Sequence, residues 1–150
     1  MGENNKGAIV SIVERKTNFT IIEKLKHGKN AEELTKVVVK LLIAYINDVH
    51  TITGDNGTEF ADHENIAKLL KTSFFFTHPY SSWEKGAVEN SNKLVRQYVP
   101  KKTNFDTIND MEIKQIQYKI NNRPRKKLNF YSPKEFFFLN LQKQRVAFSS

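Results

Sequence analysis

The chain has 150 residues, 39% of them hydrophobic, which suits one domain with its own core. Its formal charge of +8 implies an anionic partner, for which nucleic acid is the usual one, although ribosomal, chromatin and plain surface-basic proteins share such a charge. Zero cysteines exclude a disulfide framework and a Cys-ligated zinc module, the longest apolar stretch (Leu41 to Ile46) is far short of the roughly 18 residues of a membrane span, and Met1 to Lys6 is too polar to open a signal peptide, so a cytoplasmic protein away from membranes is expected.

In chain order, Ala8 to Val13 is β-branched and mostly apolar, and Phe19 to Glu23 follows the polar turn Lys16-Thr17-Asn18, which together predict an antiparallel hairpin. Asn30 caps a predicted helix through Leu34, Val37, Val38, Leu41, Leu42, Tyr45 and Ile46, which recur at helical spacing. His50 to Thr53 is a short strand. Thr58 to Leu70 reads as a second helix with Phe60, Ile66, Ala67 and Leu70 on one face, and Ser73 to Thr77 as a buried strand stopped by Pro79. A helix opened by Glu89 comes next. Past Pro100 the chain becomes helical: Thr107 to Asn122 carries Ile108, Met111, Ile116 and Ile120 on one stripe and ends before Pro124, and Pro133 opens a last helix through Phe136, Phe137 and Leu139. There is no internal repeat and no long flexible linker.

Asp55 and Glu89 are the candidate catalytic pair. Asp55 closes the apolar run that begins at His50, and Glu89 stands on the first turn of the later helix; a sheet edge brings two such carboxylates together as hard oxygen donors for magnesium. Each has a bland reading. Asp55-Asn56-Gly57 is a common hairpin turn, but a helical pattern follows it here rather than a second alternating strand, and a lone helix glutamate is usually solvated. Glu89, Lys93 and Arg96, at i, i+4 and i+7, share one helical face, either as an ion pair worth about 0.3 to 0.5 kcal/mol or with Lys93 and Arg96 on the phosphates beside a scissile bond. Arg123, Arg125, Lys126 and Lys127 follow a helix end, where cations also suit the macrodipole, and Arg123 and Arg125 are taken as DNA contacts. Trp83 is expected to pack, and Phe74-Phe75-Phe76 to be a core strand rather than a base-stacking platform. His27, His50, His63 and His78 lack zinc-ligand spacing and are assigned no metal.

Ile52 to Phe60, His78 to Asn90 and Leu94 to Lys101 resemble the catalytic core of bacterial DDE transposases, closest to the insertion-sequence-thirty family, whose cores resemble retroviral integrases. The resemblance runs from Gly7 to Phe138 and includes Val13-Glu14-Arg15-Lys16 and Asn121-Asn122-Arg123-Pro124-Arg125. With the order of elements it implies a ribonuclease-H-like α/β mixed sheet flanked by helices, with 1–105 as the catalytic core and 106–150 as a helical extension of the same domain. The family's first aspartate lies on a central strand ahead of a segment that reads like Gly2 to Ile9, and no aspartate precedes Asp48. Most of that strand is therefore expected to be missing, both neighbouring strands to have exposed edges, and the chain as given to be inactive unless another acid such as Glu14 fills the role; Glu3 is a poor substitute.

What the resemblance implies is metal-dependent phosphodiester hydrolysis followed by DNA strand transfer. Two Mg2+ ions about 3.5 to 4 Å apart, with Mn2+ as substitute, would be held by Asp55, Glu89 and the third carboxylate. The implied partners are the DNA of insertion-sequence ends and of a target, with the protein a homo-oligomer on DNA. The alternatives are a non-catalytic DNA-binding remnant that inhibits a full-length transposase, and a ribonuclease-H-like nuclease that cleaves without strand transfer.

Overall fold

A computed structural model describes residues 8–26, 30–54, 60–76, 82–100 and 102–149, with the backbone alone at 82–85 and 144–149. The hairpin forms as expected. β1 (Ala8–Val13) and β2 (Thr20–Leu25) pair antiparallel from Ala8↔Leu25 to Val13↔Thr20. Asn18, at φ 61°, turns the chain in the left-handed region that asparagine tolerates, and its N–H donates to the Glu14 carbonyl at 2.8 Å. The Glu14 carboxylate accepts the N–H groups of Lys16 and Thr17, at 3.1 and 2.7 Å, and the Thr17 hydroxyl. Glu14 is thus occupied in holding the turn.

Asn30 caps α1 (Ala31–Leu42) by accepting from the N–H groups of Glu32 and Glu33 at 2.9 and 3.2 Å, and Leu34, Val38 and Leu42 form its buried stripe. β3 (Thr51–Gly54) leads towards α2 (His63–Leu70), which starts later than the spacing suggested, with Phe60 ahead of it rather than on its face. The reason is local: Asp62 stands at the cap, its carboxylate held by the Thr35 hydroxyl of α1 at 2.9 Å, while its carbonyl accepts the first N–H groups of the helix. β4 (Ser73–Phe76) pairs parallel with β3 from Thr51↔Ser73 to Gly54↔Phe76.

β4 is not the buried strand expected from its phenylalanines. Phe74 and Phe76 pack with His63, and Phe74 with Phe60, but Phe75 is 54% exposed because α2 covers only one face of the strand. Gly54 has a specific place here. A Cβ at that position would meet the Phe74 ring at 2.8 Å, so only glycine lets the ring lie across the end of β3.

α3 (Ser82–Tyr98) runs over the hairpin, followed by α4 (Asp110–Asn122) and α5 (Pro133–Ser149). α4 begins at Asp110, not Thr107, because Asn109 caps it by accepting from Glu112 N–H at 2.8 Å. That start sets the phase: Ile113, Ile116 and Ile120 are buried and Met111 is 69% exposed, whereas Ile108 is buried in the extended segment before the helix. α5 opens with a capping box, Glu135 N–H to Ser132 Oγ and Ser132 N–H to Glu135 Oε1, both 3.2 Å. Its Phe137 stacks on Phe19 with ring centroids 4.4 Å apart.

The hairpin is the middle layer. Ile9 and Ile22 share one cluster with Val95 of α3, Val99 just past its end, and Ile113, Ile116 and Ile120 of α4. Ala8 and Leu25, on the other face, share a second cluster with Leu34, Val38 and Leu42 of α1 and Ile66 and Leu70 of α2, joined by Ile52 of β3 and Phe74 of β4. Helices therefore flank both sides of a mixed arrangement, in the expected order of hairpin, helix, strand, helix, strand, helix. The strands form two separate pairs, β1-β2 and β3-β4, and no described strand joins β1 to β3. No described helix is long and apolar enough to cross a membrane.

Candidate active site on the third long helix

α3 turns Ser91 and Val95 inward, and Val99 follows them just past its end, all with essentially no exposed surface. Helical geometry then places Glu89, Lys93 and Arg96 together on a neighbouring face, with Glu89 and Lys93 exposed and Arg96 half-buried. Glu89 does not stand on the first turn: the helix begins at Ser82, two turns earlier, and Gly86 does not interrupt it. The Glu89–Lys93 ion pair weighed as the bland reading is not formed, and no ion pair holds Glu89 among the described residues. Its carboxylate is open to a ligand, and Lys93 and Arg96 lie on the same face, where they favour an anion.

Asp55 lies outside the described residues, as do His27, His78 and the Trp83 side chain; β3 ends at Gly54, the residue before Asp55. Among the described residues no three of His, Cys, Asp and Glu converge as a metal site. The fit to a hard divalent cation rests on Glu89, an exposed oxygen donor with no ion pair among the described residues, and on Asp55 following the carboxyl end of β3 in sequence.

The two arginines after α4 differ. Arg123 is exposed. Arg125 is half-buried and caps the helix: its Nη2 donates to the Ile120 carbonyl at 3.2 Å, while its own backbone joins the following turn through Tyr131 O and Phe130 N–H at 3.1 and 2.8 Å. Burial pushes the Arg125 guanidinium below its usual pKa, and the charge of Arg123 adds to this. Its Nε is buried without a hydrogen-bond partner. Arg125 thus has a structural part that the reading of it as a plain DNA contact did not include.

Sequence reasoning also missed a buried polar set beneath α3. Thr20 of β2 bonds Asn121 of α4 through its backbone and Ser91 of α3 through its hydroxyl. The available signal was Gln117 and Asn121, two amides at i and i+4 beside the Ile113, Ile116 and Ile120 stripe, where an exposed face has no need of them.

No family model matches the chain. Over 150 residues it is 47% identical to the transposase for insertion sequence element IS4351 of Bacteroides fragilis, covering all of this chain and 46% of that protein. To transposase InsI for insertion sequence element IS30A of Escherichia coli (strain K12) it is 34% identical over 128 residues, 85% of this chain and 33% of the relative. The chain spans less than half the length of these relatives. The crystal structure of the catalytic core domain of BIV integrase matches with a TM-score of 0.74 over 94% of this chain and 91% of that one, at 18% identity. The fold is therefore the ribonuclease-H-like fold of an integrase catalytic core.

Proposed function

This chain belongs to the insertion-sequence-thirty family of transposases, and we propose that it acts as the part that cuts and joins DNA, with Glu89 and Asp55 as its catalytic carboxylates. The observation that carries the reading is the face of α3, where an exposed glutamate, without an ion pair among the described residues, shares one surface with Lys93 and Arg96. That arrangement suits a backbone phosphate with a cation between it and the carboxylate.

Asp55 and Glu89 would hold divalent cations, Mg2+ or Mn2+, which when bound supply activation of an attacking oxygen and charge neutralisation at the leaving one. Lys93 and Arg96 bind the phosphates on either side of the scissile bond and hold its phosphorus in line for attack. Water first displaces the bridging oxygen at an element end and frees a 3′ hydroxyl. That hydroxyl then attacks a target phosphodiester, one P–O bond forming as another breaks, with the target's own 3′ oxygen leaving.

Calorimetric titration with Mn2+ tests the shared site. Glu89→Gln and Asp55→Asn should each weaken binding severalfold, because each removes a charged oxygen donor. Unchanged affinity in both variants would sink the assignment.

DNA is the partner the proposal requires, and binding should tolerate sequence and weaken steeply with salt. Arg123→Ala should lower the slope of log affinity against log salt by about 0.9, the share of one neutralised phosphate. Arg125→Ala should in addition lower stability by about 1 to 3 kcal/mol, since the Ile120 carbonyl loses its charged donor. Filter binding across a salt series and urea unfolding read the two effects separately; a slope that neither variant changes would mean these arginines do not reach DNA.

A further inference from the structure

We propose that Asn121, Thr20 and Ser91 form a positioning relay that fixes the rotation of α3 and with it the placement of Glu89. The inference rests on the assignment of Glu89 as a metal-binding carboxylate. It starts at the outer edge of β2, away from β1, where strand backbone groups ordinarily bond a further strand. Two side chains of α4 take that strand's place. Asn121 accepts from Thr20 N–H at 2.9 Å and donates from Nδ2 to Thr20 O at 2.7 Å, while Gln117, one turn earlier, accepts from Ile22 N–H at 3.0 Å. The amide of Asn121 reproduces the paired donor and acceptor of a neighbouring backbone, so β2 is held at a defined height against α4.

Thr20 passes that constraint to α3. Its hydroxyl donates to Asn18 O at 2.9 Å and lies 3.0 Å from Ser91 Oγ; with its one proton given to Asn18, it accepts from Ser91. All members are shut off from solvent, with Thr20 and Ser91 at 0%, Asn18 at 1% and Asn121 at 3% exposure. A hydrogen bond in such surroundings is directional and expensive to break.

The placement along α3 gives the bond its consequence. The apolar anchors Leu94, Val95 and Val99 are all on the carboxyl side of Ser91, and aliphatic packing tolerates small rotations. On the amino side, Val88 is 37% exposed and Gly86 has nothing within 4 Å of where a Cβ would stand. Among the described residues, Ser91 is the inward anchor nearest to Glu89, two residues away and on nearly the opposite side of the helix. Pinning Ser91 to Thr20 turns Glu89 outward and fixes its angle. The relay also accounts for the first residue of the Asn121 to Arg125 motif: Asn121 holds β2, and Arg125 caps the carbonyl next to it.

The test is Mn2+ affinity by calorimetry on the 150-residue chain, with thermal unfolding followed in parallel. Thr20→Val keeps shape and the backbone bonds to Asn121 but removes the hydroxyl, and Ser91→Ala removes its partner. Each should weaken Mn2+ binding by about tenfold or more, the usual effect of losing a group that orients a ligand. Ser91→Thr, which keeps a hydroxyl, should restore most of the affinity. Combined with Glu89→Gln, Ser91→Ala should add no further loss, because it acts through Glu89. Full affinity in Thr20→Val and Ser91→Ala, while Glu89→Gln weakens binding, would overturn the relay and leave the site standing. No effect of Glu89→Gln would overturn the site, and the relay with it. Additive losses in the double variant would also overturn the relay, by showing that Ser91 supports the fold generally.

Discussion

Leu70→Ala is expected to destabilise the folded chain by about 3 to 5 kcal/mol, the upper range for deleting a buried leucine side chain. Leu70 has no exposed surface and ends α2 inside the cluster that joins both strand pairs: Ala8 and Leu25 of the hairpin, Leu34, Val38 and Leu42 of α1, and Ile52 and Phe74 of β3 and β4. Rigid elements close on it from several sides, so the cavity cannot collapse easily. The neighbouring Leu69, 48% exposed, is the control, and Leu69→Ala should stay within about 0.5 kcal/mol of the parent. Urea unfolding of the two variants separates them; a small loss at Leu70 would mean that the β3-β4 pair is not held through this cluster.

Leu70 was readable in advance because it falls on the helical period of Ile66 and Ala67, and the hairpin and the Asn30 cap were equally legible. Errors arose where a polar side chain overrode the apolar pattern. Asn109 starts α4 at Asp110 and swings Met111 into solvent, and Asp62, tied to Thr35, delays α2 beyond Phe60. β4 failed for another reason. Three successive phenylalanines read as buried on both faces, but a strand alternates sides and only the side of Phe74 and Phe76 meets α2.

At the site, the shared face of Glu89, Lys93 and Arg96 follows from helical spacing alone and is found as expected. What spacing could not give was the start of α3, which depends on the segment before Gly86, or the absence of the Glu89–Lys93 pair. The Thr20, Ser91 and Asn121 set was illegible for a deeper reason. Each residue is an ordinary polar type in its own element, and Thr20 meets Asn121 101 residues away in sequence. Only the fold brings them together. Arg125 belongs to the same class, a cation whose run suggested solvent or DNA while its guanidinium holds a helix end.

Joining an extended strand with an aspartate ahead of residue 1 is expected to raise magnesium-dependent strand joining by about 100- to 1,000-fold over residues 1–150 alone, the scale of one preorganised electrostatic contact at a reacting centre. β1 is paired on one side by β2 and β3 on one side by β4, and no described strand takes the remaining side of either. Both pairs line one cluster, through Ala8, Val10 and Ile12 of β1 and Ile52 of β3, so a strand laid between them would complete a single sheet. Glu14 cannot stand in for the added carboxylate, since the hairpin turn uses its oxygens. The added aspartate would join Asp55 and Glu89 around the metal. The same strand with asparagine should raise the thermal midpoint as much, because edge pairing needs only backbone, yet leave joining near the level of residues 1–150. Gel detection of products from a pre-cut 3′ hydroxyl compares the three forms. Equal joining by the aspartate and asparagine forms would show that Asp55 and Glu89 need no third carboxylate, and the proposed chemistry would have to be rebuilt on those two alone.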